Sequence, residues 1–120
     1  MLKIERADPY SVAVALGVEI DMPAVALVGI DGGVFAGSGG LAWGEGRCWI
    51  WFSVINGKPE YARPILRTVK MLKAKARQLG ETEIYTIRDT AFKSSAKLNR
   101  LAGFGFYAIE DGQEVYRCIL

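Results

Sequence analysis

Any chemistry in this chain has to proceed without histidine, because none of its 120 residues is one. That removes Ser-His-Asp and Cys-His nucleophiles, the HExxH zinc site and the facial iron triad. Cys48 and Cys118 stand far apart with no CxxC spacing. They read as buried thiols rather than a disulfide scaffold or a zinc site, and no metal centre is expected. Gly37-Ser38-Gly39-Gly40 has the composition of a phosphate-cradling loop, yet it lies between strand-like segments and no helix follows it. It is read instead as a bulge or a close backbone approach. What remains are carboxylates, tyrosines, serines, backbone amides, water or a cofactor. Transfer of an acyl group from a thioester to an amine is compatible with that inventory, since the donor is already activated and the protein mainly holds the reactants in line.

The elements that would position such groups follow from patterning. Leu2 to Ala7 reads as a first strand, and Asp8 caps a short helix that runs through Tyr10 to Leu16 and stops at Gly17. Val25 to Ile30, Val34 to Trp43 and Cys48 to Ile55 read as three strands joined by turns at Asp31-Gly32-Gly33 and Gly44-Glu45-Gly46, an antiparallel meander. Trp49 and Trp51 share one face of the third strand. A loop from Asn56 to Glu60 leads into a helix whose apolar face is Tyr61, Ile65, Val69, Leu72, Ala76 and Leu79, with Gly80 as its stop. Arg63, Arg67, Lys70, Lys73, Lys75 and Arg77 fall away from that face, and Pro64 requires the helix to begin near Tyr61 to Arg63. Glu83 to Ile87 is a further strand, and Asp89 or Thr90 caps a helix that ends at Ala102-Gly103. Phe104 to Ile109 and Glu114 to Ile119 pair as a hairpin across Glu110 to Gln113.

With 51% hydrophobic and 23% charged residues, a chain of this length has material for one core, so residues 1–120 are read as a single domain. A net charge of +2 is mild. No apolar run approaches the roughly 20 residues that span a bilayer, and the N-terminus has no signal-peptide pattern, which places the expected protein in the cytoplasm. The basic residues are not interleaved with aromatics and no nucleic-acid motif is present, which argues against a nucleic-acid partner.

The order strand, short helix, three-strand meander, helix, strand, helix and hairpin resembles the GNAT superfamily of acetyl-coenzyme A-dependent N-acetyltransferases. The resemblance is carried by Cys48 to Leu66, by Ile84 to Ile87, and above all by Ser94-Ser95-Ala96-Lys97-Leu98-Asn99-Arg100-Leu101-Ala102-Gly103-Phe104, similar to that family's penultimate helix with its Gly-Phe ending. The short chain and its Cys-Trp strand are also similar to small GNAT-like proteins of tailed phages and prophages. The resemblance implies an α/β (α+β) fold with a mixed central sheet, in which the meander precedes a β-α-β-α unit and a C-terminal hairpin. It implies acetyl-CoA as cofactor and an amine acceptor as partner. Phe52, Ser53 and Val54 would accept the pantetheine along a splayed strand edge, with Lys58, Ala62, Arg63 and Ser95 completing the cofactor site. Pantetheine could also approach the glycines of 37–40. Asn99 stands where many members carry an acidic tyrosine, and Ser53 and Glu45 are the other candidates for handling the amine proton. Strand-end solvation accounts for Ser53 and Glu45 equally well.

Two departures from the family pattern support a second expectation. Tyr61 and Arg63 occupy positions where the family has phosphate-binding glycines, and Pro64 has no amide to offer. With the tyrosine also replaced by Asn99, the chain reads alternatively as a degenerate GNAT-fold protein of a phage or prophage, a non-catalytic binding or virion-assembly module or a homo-oligomer.

Overall fold

Alternation of apolar and polar residues, punctuated by glycine turns, commits most of this chain to strands. In the computed structural model, which describes residues 2–8, 24–54, 58–87 and 99–120, seven strands form one mixed sheet. They are β1 (Leu2–Ala7), β2 (Ala24–Asp31), β3 (Val34–Gly44), β4 (Arg47–Val54), β5 (Glu83–Ile87), β6 (Gly105–Glu110) and β7 (Gln113–Ile119), in spatial order β1-β2-β3-β4-β5-β7-β6. β1 to β4 run antiparallel in sequence order. β4 then pairs parallel with β5 through a helical crossover, and β7 inserts between β5 and β6. The expected α/β fold with meander, crossover and terminal hairpin is therefore present. The short helix expected from Tyr10 to Leu16 and the start of the helix at Asp89 or Thr90 lie outside the described residues.

All three hairpins close on two residues with positive φ: Gly32-Gly33, Glu45-Gly46 and Asp111-Gly112. Such mirror-image turns match the strand twist, and they tighten the last turn so that Glu110 pairs with Gln113. The crossover begins with a 3₁₀ turn, Pro59–Tyr61, and continues as helix α1, Ala62–Gln78. Pro64 sits in its first turn, where no intrahelical amide bond is lost. Val69, Leu72 and Ala76 of α1 bury against Leu27, Leu41, Cys48, Ile50 and Ile84. At about 1.5–3 kcal/mol per buried large aliphatic side chain, this seam fixes the helix on the sheet.

The glycines of 37–40 meet both parts of their reading: the β2–β3 register shifts beside Gly37, and the close approach at Gly40 is made by the protein itself. A Cβ on Gly40 would lie 2.0 Å from the Val25 carbonyl oxygen and 2.4 Å from the Trp51 ring. Lys73 belongs by sequence to the solvated helix face, but its ammonium donates to the Ala102 carbonyl and lies 5.2 Å from the Phe104 ring. A long flexible stem lets it reach back to a helix end, where carbonyls lack intrahelical donors.

Candidate functional site

The most unusual junction in the sheet is the parallel one. β4 continues to Val54 and β5 to Ile87, and among the described residues their parallel register is set by Trp49 opposite Tyr85. The antiparallel neighbours β5 and β7 pair along the whole of β5, from Glu83 with Ile119 to Ile87 with Val115. On its other edge β4 is fully held, with Phe52 opposite Gly39, Ser53 opposite Ser38 and Val54 opposite Gly37. Among the described residues, then, β4 beyond Trp51 is paired on its β3 side, and β5 is described to Ile87, the residue that would stand opposite Trp51. Backbone amides and carbonyls at such an edge need partners, and an amide-bearing ligand could supply them.

The loop at the head of this cleft is held by its own bonds. The Tyr61 amide donates to the Lys58 carbonyl at 3.0 Å, and the Ala62 amide donates to the Pro59 carbonyl. With Pro64 lacking an N–H, the backbone donors for an anion at this helix start are few. The Tyr61 side chain is buried, and its hydroxyl donates to Asp31 Oδ2 at 2.6 Å. The Lys58 ammonium lies 3.4 Å from the same oxygen and 5.8 Å from the Tyr61 ring centre. The hydrogen bond to Asp31, desolvation and the carboxylate charge together push the Tyr61 hydroxyl above its ordinary pKa. Lys58 is likewise raised, by the neighbouring Tyr61 oxygen first and the Asp31 bond second. Among the described residues of this loop, Lys58, half exposed, and Arg63, exposed, are side-chain cations able to hold a phosphate.

The remaining candidates are scattered. Glu45 is exposed at the β3–β4 turn, roughly 25 Å from Val54 along eight residues of strand. Asn99 is 2% exposed, and its carbonyl accepts the Phe104 amide at 2.8 Å in the turn that ends the last helix at Gly103. Ser53 lies within the β4 edge, and Ser95 lies outside the described residues. Among the described residues no cluster of metal-ligating side chains occurs and no helix is long and apolar enough to cross a membrane.

Sequence reasoning missed a side-chain cluster on the sheet face opposite α1. Arg47, the first residue of β4, makes a two-pronged bond to Glu110 of β6, at 2.7 and 3.1 Å. Its guanidinium also sits 4.6 Å from the Tyr85 ring centre and 5.6 Å from those of Trp49 and Tyr107. A bulge between Phe106 and Ala108 turns Tyr107 onto this face, 5.3 Å from Tyr85, where Arg117 covers it at 4.7 Å. Nothing in the sequence signals a pair separated by 63 residues and two intervening strands. A separate apolar cavity of about 50 Å³ lies under α1, bordered by Leu27, Phe52, Val54, Tyr61, Ile65 and Leu72 among others. It shares Phe52 and Val54 with the β4 edge, and no β5 residue lines it.

A meander feeding a parallel pair, with a helical crossover between them and a terminal hairpin inserted beside it, defines the GNAT fold. Solved structures match it over the whole chain. An IAA acetyltransferase from Bacillus cereus superposes with TM-score 0.72 at 15% identity, covering 100% of both chains. A Bacillus subtilis acetyltransferase in complex with CoA gives 0.70 at 15% identity, covering 100% of this chain and 99% of that one. The GNAT domain of S. lividans PAT gives 0.67 at 20% identity, covering a smaller share, 95% of this chain and 70% of that one. At these identities the likeness establishes the fold. No family model matches the chain, and no curated protein matches its sequence.

Proposed function

We propose that this protein is a GNAT-type N-acyltransferase, taking an acyl group from a coenzyme A thioester, acetyl-CoA in the simplest case, and passing it to an amine by direct attack. The observation that carries this reading is the GNAT arrangement itself, a meander followed by a parallel β4–β5 pair in register at Trp49 and Tyr85. In this reading the Phe52–Val54 edge bonds the pantetheine amides. The CoA held by the structurally similar Bacillus subtilis acetyltransferase supports the choice of cofactor. Lys58 and Arg63 would meet the phosphates through their side chains, the former by exchanging part of its contact with Asp31. The amine nitrogen bonds to the thioester carbon, the carbon–sulfur bond breaks, and the thiolate leaves as coenzyme A while the amine proton passes to water or a nearby base.

Incubating the purified protein with acetyl-CoA and a panel of primary amines, with acetylated product read by mass spectrometry, tests this reading. Product above the buffer rate supports it. Absence of product together with absence of coenzyme binding sinks it.

A second reading rests on the loop. Since the Tyr61 and Ala62 amides are already bonded within the 3₁₀ turn and Lys58 faces Asp31, the fold would also suit a binding module that has given up the coenzyme, including a virion-assembly protein of a phage or prophage. A stable partner complex that protects residues 58–63 without coenzyme would favour it.

A further inference from the structure

The Arg47 cluster lies at the closed end of the cleft, two residues before Trp49 on the side away from Val54. There β4 and β5, the parallel pair that joins the two halves of the sheet, are in register at Trp49 and Tyr85, and side chains span the junction as well. From β4 the Arg47 guanidinium reaches across Tyr85 of β5 to Tyr107 and Glu110 of β6. The forked geometry restrains both ends of the bridge, because a guanidinium bonded through two nitrogens to two carboxylate oxygens has a fixed plane and direction. Stacking over Tyr85 places that plane against the ring of the very residue that pairs with Trp49. The rings of Trp49 and Tyr85 are themselves in contact at 5.8 Å, and the Trp49 indole N–H is held by the Gly44 carbonyl at 3.2 Å.

We infer that Arg47 and Glu110 form a clamp that pivots the opening of β4 from β5, and so act as positioning residues for the coenzyme cleft. With the clamp closed, the Trp49–Tyr85 pair is the fixed apex and the edges diverge from it at a set angle. Without it, the β4–β5 backbone pairing alone holds the apex, the strands part further toward Arg47, and the Phe52–Val54 edge shifts its angle to β5. The role in binding rests on the acyltransferase reading. The role as pivot does not.

The test compares wild type with Glu110→Gln, which keeps the shape and removes the charge, and with Trp43→Phe, which removes a hydrogen bond to Glu81 away from the clamp. Coenzyme A affinity is measured by calorimetry, thermal midpoint by circular dichroism, and amide exchange around Trp49 and Tyr85 by NMR. The clamp predicts that Glu110→Gln weakens coenzyme A binding about five- to tenfold and accelerates exchange at the apex amides. Trp43→Phe should lower the midpoint without either effect. Affinity loss in Glu110→Gln no larger than in Trp43→Phe overturns the clamp's role in binding. If wild type binds no coenzyme A, the acyltransferase reading fails, and exchange alone decides the pivot: faster apex exchange in Glu110→Gln upholds it, unchanged exchange overturns it.

Discussion

The Tyr61 hydroxyl donates to Asp31 at 2.6 Å, fastening the start of the crossover helix to the turn between β2 and β3. Thirty residues separate the partners, and the buried ring gives the bond a water-poor setting. Tyr61→Phe keeps the ring and removes the donor, so it should destabilise the fold and loosen the loop carrying Lys58. The linkage has a definite sign. A tyrosine whose folded pKa is raised stabilises the protein fully below its unfolded value near 10, and that contribution is lost as pH climbs through the raised value. Urea unfolding of wild type and Tyr61→Phe should therefore differ at neutral pH and converge in strong alkali. A difference that persists unchanged there would remove the hydrogen bond as its source.

Glu110 shows the opposite sign. The bond from Arg47, aided by its charge and opposed by desolvation, holds the Glu110 carboxyl below its ordinary 4.5. Its contribution is complete above the unfolded value and disappears as pH falls through the lowered one. Because both side chains keep a quarter to a third of their exposure, the effect is expected to be modest and salt-sensitive. Wild type should lose stability below about pH 5 more steeply than Glu110→Gln, as read from unfolding midpoints across the acid range. Parallel acid limbs would rule out the pairing.

Cys48 is 1% exposed, and burial, with the Glu81 charge adding to it, pushes its thiol up to about 11. Thiolate is the reactive species, so native protein at pH 8 should leave Cys48 unmodified by an aromatic disulfide reagent until the fold opens. Peptide mapping after brief labelling checks this, and rapid native labelling of Cys48 would contradict its placement against α1.

Gly40→Ala should be poorly tolerated. Its Cβ meets a backbone carbonyl that cannot swing aside as well as the Trp51 ring, and overpacking of this kind costs about 1–3 kcal/mol or more. For comparison, Leu41→Ala empties a fully buried site and should cost about 2–5 kcal/mol. Chemical denaturation measures both, and a Gly40→Ala variant as stable as wild type would exclude the close Trp51 approach.

Much of this was legible in the sequence because it is local. Asp31-Gly32-Gly33 and Gly44-Glu45-Gly46 announce the meander, and Pro64 with Gly80 brackets the helix that the structure starts at Ala62 and stops at the left-handed Gly80. Cross-sheet partnerships were not legible. Lys73 looks like any solvated helix cation until the Ala102 carbonyl is brought beside it, and Arg47 belongs to no motif. Gly40 signals that something comes close, and only the fold reveals that the visitor is Trp51. Likewise, the sequence supplied Lys58 and Arg63 as cations for the loop, but not the Asp31 carboxylate and Tyr61 hydroxyl that share Lys58.

The central claim is that the Phe52–Val54 edge and the following loop hold a coenzyme A thioester. Titrating isotope-labelled protein with coenzyme A, followed amide by amide, tests it most directly. Saturable shifts at Trp51, Phe52, Val54, Lys58 and Arg63, with a stabilisation of about 2.7 kcal/mol at a hundred times the dissociation constant, are predicted. Unmoved resonances and an unchanged thermal midpoint at millimolar coenzyme would contradict it.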